Sequence, residues 1–180
     1  MLEKDISEIL IDSDEVQKIV RNLADKINED YKDKEILFII ILKGSIPFAG
    51  DLMQHIKTHM VIDCMQASSY GTGVVSSGNL KITKDLSTDC KGKHALIVED
   101  IIDSGNTLYA LKNMLTERGC ESVKICTLLS KPSRRSVEIE GDYVGAEIPD
   151  KFVVGYGLDC AEKYRNLPYV GVLNPEVYSN

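Results

Sequence analysis

The sequence predicts an α/β fold, a doubly wound and largely parallel central sheet with helices on both faces. Three observations carry this. The runs EILFIIIL (35–42) and HALIVED (94–100) are continuously apolar until they meet charge, as strands buried on both faces read. Amphipathic stretches at helical period stand between such runs. The alternation is β-α-β, then β-α-β again, which calls for parallel strands and crossover helices.

The elements follow in order. Residues 13–30 place Val16, Ile19, Val20, Leu23, Ala24 and Ile27 on one stripe, and Asp12 or Ser13 caps the start. Residues 35–42 form a strand, 45–57 a helix, and MVIDCMQA (60–67) a strand. In SSYGTGVVSSGNL (68–80), nine of thirteen residues are Ser, Gly, Thr or Asn, so this is a loop with little core to hold it. KITKD (81–85) returns as a strand and 94–100 is another. Residues 105–118 set Leu108, Leu111 and Leu115 on one helical face, with Gly119 as the stop. SVKICTLL (122–129) is a strand, and the tail holds short extended pieces, KFVVGYG (151–157) among them. Ligands of open parallel sheets bind beyond the carboxyl ends of the strands, which points to the residues just after 42, 67, 100 and 129.

Composition excludes several classes. The chain has 180 residues, enough for one domain with a real core. The longest apolar run, Ile36 to Leu42, is too short to cross a bilayer, and MLEKDISEIL carries charge where a signal peptide is apolar. A cytoplasmic protein with no membrane partner is expected. The five cysteines are odd in number and form no CxxC, so reduced thiols are expected and neither a zinc site nor a disulfide framework. A net charge of −7 argues against nucleic acid as a partner, and a polyanionic substrate calls for a divalent cation to mask its charge.

The stretch VEDIIDSGNT (98–107) carries the chemistry. Ser104, Gly105, Asn106 and Thr107 lie between a strand and a helix N-terminus, where free N–H groups and the helix dipole favour an anion. It is neither a Walker A nor a GxGxxG motif. The carboxylates of Glu99, Asp100 and Asp103 would repel a bare phosphate. They suit a sugar phosphate, whose hydroxyls they accept from, and Mg²⁺. A lone Glu-Asp pair reads as a solvated turn; joined to DSGNT and a helix it reads as a site.

Apolar strand, Glu-Asp, two apolar residues and Asp-Ser-Gly-x-Thr resemble the phosphoribosyl-pyrophosphate (PRPP) motif of type I phosphoribosyltransferases. The whole chain resembles the hypoxanthine-guanine members of that family, through LKGS (42–45), SSYG (68–71), LLSKP (128–132), KFVVGYGLD (151–159) and the YR at 164–165. The resemblance implies Mg-dependent transfer of a phosphoribosyl group from PRPP to a 6-oxopurine base. It implies one domain over 1–180, with a lid at about 68–80 recognisable by Ser69 and Tyr70. A small hood would be built from the tail, mainly 149–180, and the N-terminal segment.

By the same resemblance, Glu99 and Asp100 hold the ribose hydroxyls and Mg²⁺, and residues 104–107 cradle the 5′-phosphate. Asp103 is the acid/base partner of the purine imidazole. Lys43 and Gly44, in a loop whose peptide can be cis, bind pyrophosphate with Arg165. Asp159 serves a second Mg²⁺. Lys131 donates to the purine 6-oxo group, Phe152 stacks on the base, and the Val153 backbone meets its edge. A homodimer or homotetramer is implied. The basic run Lys131 to Arg135 otherwise reads as a solvated face. Two other functions stay open: a xanthine-preferring transferase, and a non-catalytic PRPP-sensing regulator on the same fold.

Overall fold

The computed structural model describes residues 2–69 and 80–178. After a 3-10 turn at Leu2–Asp5, the chain forms β1 (Ile6–Ile11), α1 (Ser13–Asp30), β2 (Ile36–Ile41), α2 (Ile46–Met53), β3 (Met60–Ser69), β4 (Leu80–Lys84) and β5 (His94–Ile102). Then come α3 (Asn106–Glu117), β6 (Ser122–Ser130), β7 (Tyr143–Glu147), β8 (Val153–Val154), β9 (Val170–Leu173) and α4 (Pro175–Tyr178).

Six strands make the central sheet in the order β4-β3-β2-β5-β6-β7. All its pairings are parallel except β3 with β4, which run antiparallel and bring Ser69 opposite Leu80. The loop expected at 68–80 thus begins and ends in paired strands, and the rest of it lies outside the described residues. The sheet explains the apolar runs: Leu37 and Ile39 face one core while Ile36 and Phe38 face the other.

Helices α1 and α2 pack on one face and α3 on the opposite face. Asp12 caps α1 through its side chain, which accepts from the Glu15 N–H at 2.9 Å. The stripe Val16, Val20, Leu23, Ala24 and Ile27 is buried as its period requires. Helix α2 stops at Met53, short of the expected 57. Asn28 of α1 captures the following turn, donating to the His55 carbonyl at 3.0 Å and accepting from the Lys57 N–H at 2.8 Å.

A second sheet, β1-β9-β8, joins the N-terminal segment to the tail. It encloses its own small core of Val154, Tyr164, Leu167 and Leu173. Val153, Tyr156 and Leu158 pack into the core under α1 and α2. Tyr156 donates to Asp51 at 2.5 Å, and Gln17 donates to the same carboxylate oxygen at 2.6 Å. The hood is thereby tied to both helices. Among the described residues no helix is long and apolar enough to cross a membrane.

Candidate active site

Strand order places the site. From β2 the chain runs outward to β3 and β4, then returns to β5 on the other flank of β2 and continues to β6 and β7. The reversal between β2 and β5 leaves a crevice beyond their carboxyl ends. Pairing of β2 with β5 ends at Ile40 opposite Val98, while β5 continues along β6 to Ile102 opposite Ser130. Glu99 and Asp100 are therefore still strand residues, but their β2 side is open.

The LKGS turn fills the β2 side. Its Leu42–Lys43 peptide is cis. Ser45 is fully buried and donates its hydroxyl to the Ile41 carbonyl, folding the turn back on its strand. Gly44 lies against Asp100 so closely that a methyl group there would fall on the carboxylate. Gly157, at φ +101°, lies equally closely on the Gly44 carbonyl. Tail, loop and acid pair are stacked in one file that admits no side chain.

Burial sets the electrostatics of the pair. Burial, and then the neighbouring Asp100, push the Glu99 carboxyl well above the ordinary carboxylate range. Burial also pushes Asp100 up to about 6, against the pull of the Ile101 N–H, which donates at 2.7 Å, and of the Arg165 charge. The buried Oε2 of Glu99 has no hydrogen-bond partner among the described residues. Two carboxyls short of positive charge, one with an orphaned oxygen, fit a hard cation. No group of three or more His, Cys, Asp or Glu is gathered among the described residues. A carboxylate pair of this kind suits Mg²⁺, which uses one or two carboxylates and takes its other ligands from water and substrate phosphates.

Below the pair, Glu99, Asp103, Ser104, Gly105 and Thr107 line a cavity of about 170 Å³, and Asn106 is outside its lining. Gly105, at φ +84°, is the N-cap of α3 and has no side chain to cap it, and the Ser104 hydroxyl accepts only a long bond of 3.5 Å from the Asn106 N–H. A first turn so weakly capped favours an anion. Ser104 accepts from the Asn106 amide at 3.2 Å, and Ser104 and Thr107 both line the cup.

A larger cavity of about 550 Å³ adjoins it, lined by Ile101, Asp103, Lys131, Arg134, Asp150, Phe152, Val153, Leu158 and Asp159 among others. Ile101 and Asp103 belong to both walls. Lys131 is only 6% exposed and lies 3.9 Å from Asp150. Val153 is buried, whereas Phe152 presents 42% of its surface. Arg134 pairs with Asp103 at 3.0 Å through Nε and with Asp150 at 3.1 Å through Nη1. The first contact is an ion pair without hydrogen-bond alignment, since the Asp103 Oδ1 is otherwise unpartnered.

On the third side Lys43, Glu162 and Arg165 line a groove of about 330 Å³. Glu162 bridges Lys43 at 3.1 Å and Arg165 at 3.2 Å, and these two cations hold its carboxyl below the usual range. Arg165 also pairs with Asp159 at 2.9 Å and donates to the Gly157 carbonyl at 2.8 Å, while its buried Nε is unpartnered. Asp159 thus faces Arg165 rather than joining the Glu99–Asp100 pair.

The basic run departs from the expected solvated face. Arg135 is an internal brace: it donates to the carbonyls of Ile102 at 2.8 Å, Asp103 at 2.6 Å and Ile139 at 3.1 Å, and to the Ser130 hydroxyl at 2.7 Å. It clamps the ends of β5 and β6, and with them the backbones leading to Asp103 and Lys131. Sequence reasoning missed this role, together with Arg134 and Glu162, because contacts set by folding leave no local pattern. Gly157 was visible only as part of GYG. Of the lid pair, Tyr70 lies outside the described residues, and nothing is described of the Ser69 side chain.

Comparison with known proteins agrees with this geometry. Residues 7–161 match the family model of the phosphoribosyl transferase domain. The chain is 53% identical to the hypoxanthine-guanine phosphoribosyltransferase of Streptococcus pneumoniae and 52% identical to that of Bacillus subtilis, over 180 residues in both cases. Each alignment spans 100% of the chain and of the relative. The crystal structure of a hypoxanthine phosphoribosyltransferase from Staphylococcus aureus superposes with a TM-score of 0.96 at 47% identity, covering 99% of this chain and 97% of that one. With the acid pair, the weakly capped α3 turn and the adjoining cavity in this arrangement, the chain belongs to the hypoxanthine-guanine phosphoribosyltransferases of the phosphoribosyltransferase domain family.

Proposed function

We propose that the enzyme joins hypoxanthine or guanine to the phosphoribosyl group of PRPP in a Mg²⁺-dependent reaction, forming the nucleotide and pyrophosphate. The observation that carries this reading is the position of Asp103, in the wall shared by the small cup and the large cavity. A base in the large cavity and a ribose phosphate in the cup would meet at this carboxylate.

The roles follow from the chemistry of each wall. The 5′-phosphate sits on the first turn of α3, and Glu99 and Asp100 accept from the ribose hydroxyls. Mg²⁺, held by the same pair with phosphate oxygens, would neutralise the leaving group. An imidazole nitrogen of the base attacks the anomeric carbon; the new C–N bond forms as the bond to pyrophosphate oxygen breaks. Asp103 takes the proton that the ring nitrogen sheds. Lys43 and Arg165 receive the departing pyrophosphate, exchanging Glu162 for it. Lys131, buried with donors to place, selects a 6-oxo acceptor; adenine would leave it facing an amino group. The enzyme works as a single domain with a tail-built hood, in the cytoplasm, as a homodimer or homotetramer.

The test is nucleotide formation from PRPP with hypoxanthine, guanine, xanthine and adenine, with and without EDTA. Turnover of hypoxanthine or guanine that EDTA abolishes is expected. Dominant xanthine turnover would overturn the base assignment, and PRPP binding without turnover of any base would favour the regulator. Asp103→Asn should lower kcat by roughly 100-fold or more while the KM for PRPP holds, because only proton acceptance is lost.

A further inference from the structure

The large cavity has an aromatic residue in its wall that no role above uses. Tyr178, in α4, stacks on Phe152 with ring centroids 4.8 Å apart and planes inclined by 26°. Both rings line the cavity that holds Lys131 and Asp103. We propose that Tyr178 is a positioning residue of the base site: it backs one face of Phe152 and thereby fixes the plane on which the purine stacks. The proposal rests on the reading of this cavity as the purine site.

The backbone delivers Tyr178 to this place. Strands β8 and β9 pair through Val153 and Val172, and the Leu173 N–H donates to the Phe152 carbonyl at 3.0 Å. The chain then turns at Asn174, whose N–H donates to the Asp5 carbonyl at 2.8 Å and whose side chain accepts from the Glu176 N–H at 3.3 Å. One helical turn later Tyr178 arrives over the ring that Leu173 has just anchored. Phe152 itself is poorly enclosed, with 42% of its surface exposed. The stack with Tyr178 is a contact that can hold the plane of a ring so open.

The cavity has room for Tyr178 as a wall rather than a plug. With Tyr178 in place the cavity still measures about 550 Å³, within the range of small-molecule sites, and Phe152 still presents a large part of its surface. On this proposal a base enters without displacing Tyr178, to give a stack of base, Phe152 and Tyr178.

Steady-state kinetics of the full-length enzyme with Tyr178→Ala and Tyr178→Phe test this. Tyr178→Ala should raise the KM for hypoxanthine by roughly three- to tenfold, as loss of one aromatic stack predicts. The KM for PRPP and the thermal unfolding midpoint should stay unchanged, and Tyr178→Phe should match wild type because it keeps the ring. If Tyr178→Ala shifts unfolding, Tyr178→Leu becomes the deciding variant, since it keeps apolar bulk without a ring face; it should raise the base KM alone. An unchanged base KM in active variants overturns the proposal and leaves the site reading intact. So does a lowered one, which would make Tyr178 a plug. A wild-type enzyme that forms no nucleotide from any 6-oxopurine overturns the site reading, and the proposal with it.

Discussion

Asp100 answers to two opposed demands. In the proposed reaction it must be a carboxylate to hold a cation and ribose hydroxyls, yet burial pushes its carboxyl from 3.8 up to about 6. The folded form therefore keeps a proton that the unfolded chain has already lost between those values. Stability of the unliganded enzyme falls as pH rises through that window. Asp100→Asn, which keeps the acceptor for the Ile101 N–H, should stabilise the unliganded protein at pH 7.5 by roughly 1–3 kcal/mol. The same change should cost roughly 100-fold or more in turnover. Thermal unfolding and kcat, measured side by side, check both. A variant no more stable than wild type would mean that the pair is not strained by its burial. The acid pair was legible in the sequence as VED before DSGNT. Its burial was not, because Gly44 and the tail that enclose it lie far away along the chain.

Elements were legible where one local pattern sufficed. The α1 stripe and the leucines of α3 show their helical period, the two buried strands show continuous apolar runs, and each element stands where its local pattern puts it. The short strands β1, β7 and β9 lacked such a signal, since β1 exists only because β9 pairs with it, from Ile11 opposite Val170 to Ile6 opposite Leu173. The α2 terminus was overrun for a similar reason: Asn28, on another helix, ends it. Arg135 is the sharpest case, a buried clamp on β5 and β6 read as part of a solvated face. Arg135→Lys keeps the charge but loses the planar fork, which donates in several directions at once. It should cost about 1–3 kcal/mol of stability through unsatisfied carbonyls. It should also lower kcat by roughly 10- to 100-fold through displacement of Asp103. Denaturant unfolding and single-turnover rates separate the two, and an unimpaired rate would reduce Arg135 to a purely structural role.

At the scale of the whole molecule, the site is a seam between the central sheet and the hood. The sheet supplies Lys43, the acid pair, Asp103 and Lys131; the tail supplies Phe152, Asp159, Arg165 and Tyr178. The seam is closed by Val153 and Leu158 in the main core and by the Tyr156–Asp51 bond. Tyr156→Phe should cost about 1 kcal/mol of stability, as loss of one partly buried hydrogen bond. Three phenols, Tyr31, Tyr143 and Tyr156, are raised well above their ordinary value of 10.0, in each case chiefly by burial. Their unfolded counterparts ionise near 10 while the folded ones stay neutral. Stability should therefore be intact below that pH and fall as pH rises past it. Alkaline unfolding followed by circular dichroism, with Tyr156→Phe showing the shallower loss, checks the assignment.

The sequence by itself determined the strands and helices with a strong local period, the α/β class, and the acid-and-turn motif at the end of β5. The elements and the motif are encoded within about a dozen contiguous residues each, and the class follows from the order in which the elements alternate. Tertiary structure alone decided which carboxyls are desolvated, which arginine is a clamp rather than a surface charge, and which tyrosine stands behind Phe152. Those properties depend on burial and on contacts between residues that are tens of positions apart in the chain, and only the folded chain brings such residues within a few ångströms of each other.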